Sequence, residues 1–212
     1  MADQAPLIAV LDYGIGNLRS AQKALEHVGA DARLTADPGL IDDAAGVVLP
    51  GVGAFGRCIE ALTEAGLAGS ARGLASAAVA GEGKPFLGVC VGLQMLFDGS
   101  DETPETPGLG VLGGRVRLLP DGVKRPQMQW NVLDWTTDSP LAEGLADPAW
   151  VYFVHSYWAD PDDPADLVAT CDYGTAVTAA VGRGNLFATQ FHPEKSAANG
   201  LRLLENFVTA CS

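Results

Sequence analysis

The first half of the chain alternates short apolar segments with segments of helical periodicity. The segments LIAVLD (7–12), GVVLP (46–50) and PFLGV (85–89) are apolar almost throughout. Each precedes a stretch with apolar residues at helical spacing, over 16–28, 54–65 and 91–98 respectively. Strands that are buried on both faces and alternate with helices are typical of a parallel sheet covered by helices.

The pattern changes after the polar, proline-rich segment SDETPETPGLG, which predicts a loop. The runs that follow are richer in β-branched and aromatic residues and predict strands: GRVRLL, NVLDW, AWVYFVH, DLVAT, TAVTAAV and NLFATQF. The glycines of VGRGN (181–185) predict a hairpin, and an amphipathic helix ends the chain. We therefore expect one α/β domain over residues 1–212, with a mostly parallel central sheet flanked by helices and additional antiparallel strands in the C-terminal half.

Composition and charge narrow the class of protein. The chain is 48% hydrophobic and 18% charged, which is typical of a globular protein, and its net charge of −13 repels phosphate backbones and anionic membranes. We expect no nucleic acid and no membrane as partners. The four cysteines form no C-x-x-C pair, and neither a basic segment before an apolar one nor a membrane-length apolar run occurs. These features predict a cytoplasmic protein with reduced thiols.

Tests for phosphate and metal motifs give poor matches. DYGIGN (12–17) has Arg19 where a dinucleotide-binding fingerprint needs a third glycine, and AVAGEGKP (78–85) lacks the upstream glycine of a phosphate-binding loop. The chain has three histidines, His27, His155 and His192. They do not pair at metal-ligand spacing. We expect no metal and no cofactor, which leaves cofactor-free chemistry or simple binding.

Cys90 lies between Gly88 and Gly92 in GVCVGLQMLF (88–97), after an apolar strand and before a helix. This arrangement has the shape of a nucleophile elbow, in which small neighbours allow a sharp turn. The N–H groups at the start of the following helix favour a thiolate, and the N–H of Val91 is a natural donor to an oxyanion. The alternative is a small hydrophobic residue packed in a strand-to-helix turn.

Two further segments supply what a thiolate nucleophile needs. In FHPEKS (191–196), His192 is a candidate base, and Glu194 can turn back around Pro193 to hold the imidazole. The glycine-rich PGVGAF (50–55) follows a strand, and its backbone N–H groups are candidates for the second oxyanion donor. Taken separately, a structural histidine, a solvated glutamate and a tight turn are the ordinary alternatives.

Together these segments resemble the class I, triad-type glutamine amidotransferases. More narrowly, six blocks in order resemble the glutaminase subunits of imidazole glycerol phosphate synthase, an enzyme of histidine biosynthesis: YGIGNLRS, PGVGAF, GVCVGLQMLF, PQMQWN, FVHSY and FHPEKS. The blocks span residues 13 to 196. The resemblance implies a flavodoxin-like, class I glutamine amidotransferase fold.

The resemblance also implies a mechanism. Cys90 attacks the side-chain amide of glutamine with the help of His192, which Glu194 orients. Backbone N–H groups of Val91 and of Gly53 or Val52 hold the oxyanion, and water hydrolyses the glutamyl thioester. Ammonia passes to a partner cyclase subunit, a (β/α)₈ barrel, in a heterodimer with allosteric activation.

Further roles follow from the resemblance alone. The expected glutamine-binding residues are Gln94, Glu102, His155, Ser156 and Tyr157. The expected residues at the cyclase interface are Asn17, Trp130 and Lys195, with packed core as the alternative for Trp130. Gln129 departs from the family, which typically has glycine at that position, and this departure bears on the interface and not on the triad.

Three other functions stay open on the sequence. The glutaminase of pyridoxal phosphate synthesis belongs to the same superfamily, but YGIGN and PQMQWN argue against it. A non-catalytic binding module would be expected to lack a member of the triad, and all three members are present. A stand-alone glutaminase would waste glutamine, so we expect low activity without a partner.

Overall fold

The computed structural model describes residues 5–212, so residues 1–4 of the expected 1–212 domain lie outside the described residues. The strands are β1 Leu7–Leu11, β2 Asp31–Thr35, β3 Gly46–Gly51, β4 Phe86–Cys90, β5 Gly99–Ser100, β6 Gly114–Leu118, β7 Gln127–Val132, β8 Asp134–Trp135, β9 Trp150–His155, β10 Tyr157–Pro161, β11 Leu167–Asp172, β12 Ala176–Arg183 and β13 Leu186–Thr189. The helices are α1 Leu18–His27, α2 Pro38–Asp43, α3 Phe55–Glu64, α4 Ala68–Val79, α5 Val91–Gln94 and α6 Ala197–Ala210.

The main sheet has eight strands in the order β2-β1-β3-β4-β13-β12-β11-β8. The first five strands are parallel, and the last three pair antiparallel. Strands β3 and β4 are buried along their whole length, as expected for a sheet covered on both faces. The hairpin predicted at 181–185 joins β12 to β13, with Gly184 at a φ of +59°. The predicted fold class is confirmed.

Three elements carry too weak a periodicity to be singled out in the sequence. Strand β2 lies at the edge of the sheet, and its central residue, Arg33, is exposed. Helix α4 buries only alanines, at Ala71, Ala75 and Ala78, so its apolar face is no more hydrophobic than its surroundings. Helix α2 has six residues and begins at an Asp37 side chain that accepts the Leu40 N–H at 2.9 Å.

The helix predicted over 91–98 is shorter than expected, because α5 ends at Gln94. A returning loop takes the carbonyl groups that would continue the helix. The N–H of Leu109 donates to Met95 O at 2.7 Å, and that of Val111 donates to Leu96 O at 2.8 Å. The apolar spacing of this stretch therefore reflects burial from two sides and not a longer helix.

Two small sheets cover one end of the main sheet, in the orders β10-β6-β5 and β7-β9. Two hydrogen bonds connect the β7–β9 pair to the segment after β13. The His192 N–H donates to Tyr152 O at 3.0 Å, and the Tyr152 N–H donates to Ser196 Oγ at 2.9 Å. The exposed large apolar side chains include Met128, Trp130 and Trp150 of this pair. Within residues 5–212, the helices are too short or too polar to cross a bilayer.

Candidate active site

The candidate site lies at the carboxyl ends of the parallel strands, where open α/β sheets commonly bind ligands. Strands β3, β4 and β13 are neighbours, and Gly51 is in register with Cys90. The segments that leave these three strands carry PGVGAF, the Cys90 elbow and FHPEKS. Parallel pairing therefore brings together three motifs that are far apart in the sequence.

Cys90 adopts the strained backbone of a nucleophile elbow, with φ +56° in a residue that is not glycine. The flanking glycines permit the tight turn from β4 into α5. A Cβ at Gly92 would overlap the carbonyl oxygen of Leu49, and one at Gly51 would lie 2.7 Å from Gly92 N. Gly92 is thus required by backbone contact between β3 and the elbow, and a Cβ at Gly88 would lie 3.0 Å from Gly92 O within the elbow itself.

His192 and Glu194 form a buried pair. His192 Nδ1 lies 2.8 Å from Glu194 Oε1, and their side chains are 3% and 4% exposed. Burial disfavours the charged imidazole, but hydrogen bonds and charge interactions with Cys90 and Glu194 outweigh it and raise the pKa of His192 to about 9. An imidazole held in this way can accept a proton from the thiol and return it to a leaving group.

The side chain of Gln190 is a contact of the nucleophile that the sequence interpretation missed. Its Nε2 lies 3.7 Å from Cys90 Sγ, and its Oε1 accepts a hydrogen bond from Gln94 Nε2 at 3.0 Å. Gln190 is fully buried. A glutamine inside the apolar run LFATQF, two residues before His192, is the signal that points to it, since a buried amide needs partners.

Three groups expected at the oxyanion line one cavity of about 440 Å³ together with Cys90 and His192. These groups are Val52, Gly53 and Val91. Gly53 has a φ of +91°, which a residue with a side chain rarely adopts. The glycine-rich turn therefore has a conformational reason for its sequence and a place beside the nucleophile.

The expected glutamine-binding residues line the same cavity: Gln94, Glu102, His155, Ser156 and Tyr157. Glu102 Oε2 accepts the Phe55 N–H at 2.7 Å, at the first residue of α3. Gln94 Nε2 donates to Tyr157 O at 2.9 Å. His155 Nδ1 lies 2.9 Å from the same carbonyl, and burial lowers the pKa of His155 to about 4, so its imidazole is neutral.

The expected interface residues differ in position. Asn17 and Lys195 line the mouth of the cavity, and Lys195 is exposed. Trp130 lies outside the cavity on β7 and is 44% exposed, so it is not a core residue. Its ring makes an edge contact with Tyr152 at a centroid distance of 6.1 Å. Gln129 is exposed and pairs with Phe153 across the strands.

Among residues 5–212, no group of three or more potential ligands is placed to hold a metal ion. The polar atoms around Cys90 are a buried imidazole, a carboxylate and two amides. This set suits cleavage of an amide by a thiol nucleophile, with proton transfer by His192.

Comparisons with known proteins agree with this chemistry. The model of the family described as glutamine amidotransferase class-I matches residues 9–211. A crystal structure of a glutamine amidotransferase superposes with a TM-score of 0.71 over 96% of this chain and 98% of that chain, at 22% identity, which shows the fold alone. The structure of PurLQS from Thermotoga maritima superposes equally well, with a TM-score of 0.71 at 21% identity over 97% of this chain and 98% of that chain. Fold and site together define a class I glutamine amidotransferase.

Curated relatives narrow the family. The imidazole glycerol phosphate synthase subunit HisH of Symbiobacterium thermophilum is 46% identical, over 94% of this chain and 92% of the relative. HisH of Halobacterium salinarum is 48% identical, over 97% of this chain and 94% of the relative. HisH of Dechloromonas aromatica is 49% identical, over 95% of each chain. The chain therefore belongs to the HisH family of class I glutamine amidotransferases, and the predicted family is confirmed.

Proposed function

We propose that this chain is the glutaminase subunit of an imidazole glycerol phosphate synthase and that Cys90, His192 and Glu194 are its catalytic triad. The observation that carries the proposal is the buried His192–Glu194 pair beside Cys90 in a cavity at the carboxyl edge of the sheet. The proposal includes a single glutamine amidotransferase domain over residues 1–212 and a cytoplasmic location.

The proposed reaction converts glutamine and water to glutamate and ammonia. Cys90 Sγ forms a bond to the side-chain carbonyl carbon, and its proton passes to His192. The carbonyl oxygen takes up the negative charge near the N–H groups of Val91 and of Val52 or Gly53. Collapse of this intermediate expels the nitrogen as ammonia, with the proton returned by His192. Water activated by His192 then cleaves the thioester and releases Cys90.

The cavity offers complementary groups for the rest of the substrate. One carboxylate oxygen of Glu102 accepts the Phe55 N–H. The other has no hydrogen-bond partner among residues 5–212 and can meet the α-ammonium of glutamine. Ser156 and Tyr157 line the cavity, and their backbone can hold the α-carboxylate. The neutral imidazole of His155 braces the Tyr157 carbonyl and adds no charge to the cavity.

The outer face of β7 and β9 supports the proposal of a partner. Met128 and Trp130 lie on one face, and their cross-strand partners are Val154 and Tyr152. Val154 lines the active-site cavity, so the apolar face is continuous with its mouth. The names of the HisH relatives describe a subunit of a larger enzyme. We place the cyclase barrel on this face, with Asn17 and Lys195 at the rim.

The test is glutamate release from glutamine by the purified chain alone, with the cyclase subunit, and with the cyclase subunit and its phosphoribulosyl formimino aminoimidazole carboxamide ribonucleotide ligand. We expect low activity alone and strong activation by partner and ligand, abolished by Cys90→Ser. Activity that depends on Cys90 but ignores the partner would keep the glutaminase and reject the histidine-pathway role. Inactivity of the wild-type chain under all three conditions would contradict the proposal.

A further inference from the structure

We propose that Tyr13 and Cys58 are positioning residues for glutamine hydrolysis, which hold the backbone of the loop 50–53 in the orientation that serves the oxyanion. We call these two side chains the loop clamp. The inference rests on the proposed glutaminase function and adds two residues to it, neither of which belongs to the triad or contacts the substrate cavity.

The loop clamp acts on alternate carbonyl groups of the loop. The Tyr13 hydroxyl donates to Pro50 O at 2.6 Å, and the Cys58 thiol donates to Val52 O at 3.3 Å. Tyr13 is 5% exposed and Cys58 is fully buried, so neither bond competes with solvent. Tyr13 follows strand β1, and Cys58 lies in the first turns of α3. The loop is therefore hydrogen-bonded to two different parts of the fold.

Because the peptide unit is planar, the two hydrogen bonds to carbonyl groups also fix the directions of the N–H groups that follow them. In a planar trans peptide the C=O and the following N–H point in opposite directions. A carbonyl of Val52 directed at Cys58 therefore directs the Gly53 N–H away from the buried cluster. Within the described residues, the Gly53 N–H has no backbone or side-chain acceptor, and Gly53 lines the cavity that contains Cys90. This N–H is thus available to an incoming oxyanion.

Both members of the clamp stay protonated donors at neutral pH. Burial raises the pKa of the Cys58 thiol above its usual range, and this effect outweighs the hydrogen bonds with Tyr13 and Val52, which lower it. Burial and the adjacent Cys58 raise the pKa of Tyr13 as well. A thiol is a weak donor, yet a buried carbonyl without a partner is costly, so loss of this bond would favour rotation of the Val52–Gly53 peptide.

The far end of the loop is fixed by a different group. Glu102 accepts the Phe55 N–H at the start of α3, so the chain from Pro50 to Phe55 is held at three points. A phenylalanine at position 13 and an alanine at position 58 would fill most of the same space without any donor. The use of donors at both positions indicates a role in backbone orientation beyond packing.

The test measures glutamine hydrolysis by the enzyme assembled with its cyclase subunit and ligand. The variants are Tyr13→Phe and Cys58→Ala, with Cys58→Ser as the conservative variant that keeps a donor. Tyr173→Phe removes a hydroxyl-to-carbonyl hydrogen bond at an exposed site, to Lys124 O, and Cys211→Ala removes a partly buried thiol. These two are matched controls away from the loop. A second probe is inhibition by glutamate γ-semialdehyde, whose adduct with Cys90 places an oxyanion where the intermediate would have one.

We expect Tyr13→Phe and Cys58→Ala each to lower kcat by about tenfold with KM changed by less than about twofold, since misplaced oxyanion donors act on the transition state. Inhibition by the semialdehyde weakens in parallel, whereas alkylation of Cys90 by iodoacetamide, which forms no oxyanion, keeps its rate. Cys58→Ser restores most of kcat, and both controls behave as wild type.

Wild-type kcat and wild-type affinity for the semialdehyde in Tyr13→Phe and Cys58→Ala would overturn the inference while leaving the proposed function intact. Equal losses of kcat, of iodoacetamide reactivity and of substrate affinity would also overturn it, because they would indicate general unfolding of the site. An inactive wild-type assembly would instead count against the proposed function itself.

Discussion

Glu194 holds His192 through a hydrogen bond of 2.8 Å between Oε1 and Nδ1, across a single proline. The two residues stand at the start of a short 3₁₀ turn, Pro193–Lys195, so the carboxylate folds back onto the ring that precedes it. Because the bond occupies Nδ1, the other ring nitrogen, Nε2, is left to exchange a proton with Cys90. The spacing of HPE thus sets the orientation of the base.

Replacement of Glu194 by glutamine tests this relationship. The amide keeps the shape of the side chain but removes the charge that stabilises the imidazolium, so we expect kcat for glutamate release to fall by about 10²–10⁴-fold. Steady-state kinetics of the assembled enzyme measure the change. Glu205→Gln, on an exposed glutamate paired with Arg202, is the matched control and is expected to act as wild type. Wild-type kcat in Glu194→Gln would refute an orienting role for Glu194.

The contact between Gln190 and Cys90 leads to a second prediction. Gln190→Leu removes the buried amide that lies 3.7 Å from the sulfur and leaves Gln94 Nε2 without its acceptor on that side. We expect kcat/KM to fall by about tenfold, since a buried hydrogen-bonding group that loses its partner costs roughly 1–3 kcal/mol. Gln22→Leu is the control, because it removes a hydrogen bond from a side-chain amide to Ala32 O, far from the site. Unchanged kcat/KM in Gln190→Leu would mean that the contact is incidental.

The sequence predicted the strands and the motifs better than it predicted their contacts. GVCVG and HPE could be assigned because elbow geometry and a base with its orienter require particular residues at short, fixed spacing. Gln190 and Tyr13 could not be found in the same way. Their roles depend on Cys90 and Pro50, which are distant in sequence and meet them only through the pairing of the sheet.

The end of α5 was missed for a related reason. Apolar residues at helical spacing continue to Phe97, but the carbonyl groups of Met95 and Leu96 bond to the N–H groups of a loop more than ten residues later. The local spacing of apolar residues carries no information about a distant loop that takes these hydrogen bonds. Trp130 was ambiguous between core and interface for the opposite reason: an aromatic residue in a strand suits either, and only the structure shows that its face of β7 is uncovered in this chain.

The two buried histidines, His155 and His192, are expected to change the free energy of unfolding in opposite pH ranges. The pKa of His192 is raised from 6.5 to about 9 in the folded chain, so its stabilising contribution is complete below pH 6.5 and is lost as the pH rises through 9. The pKa of His155 is lowered from 6.5 to about 4, so the unfolded chain binds more protons between these values and stability falls as the pH drops below 6.5. Together they favour maximum stability near pH 6.5.

Urea unfolding across pH 4.5 to 9 measures these limbs. We expect His155→Gln to flatten the acid limb and Glu194→Gln to flatten the alkaline limb, whatever each variant does to the absolute free energy of unfolding. His27→Gln, on an exposed histidine at the end of α1, serves as the control. Unaltered slopes in His155→Gln and Glu194→Gln would contradict the assignment of these limbs to His155 and His192.

Trp130 gives the prediction that bears on the partner. Its ring lies on the exposed face of β7 and makes an edge contact with Tyr152. Burial of an exposed aromatic side chain often dominates the energy of an interface. We expect Trp130→Ala to weaken binding of the cyclase subunit by at least about tenfold, as measured by isothermal titration calorimetry.

Val28→Ala provides the comparison, because Val28 follows the end of α1 at the opposite edge of the sheet from the active site. It trims an apolar side chain without touching the β7–β9 face and is expected to leave affinity unchanged. Gln129→Gly tests the departure from the family at the neighbouring position on the same strand. If it changes activation by the cyclase ligand but hardly changes affinity for the cyclase subunit, Gln129 affects the coupling between the two active sites and not docking. If Trp130→Ala binds the cyclase subunit as tightly as wild type, the partner does not dock on this face.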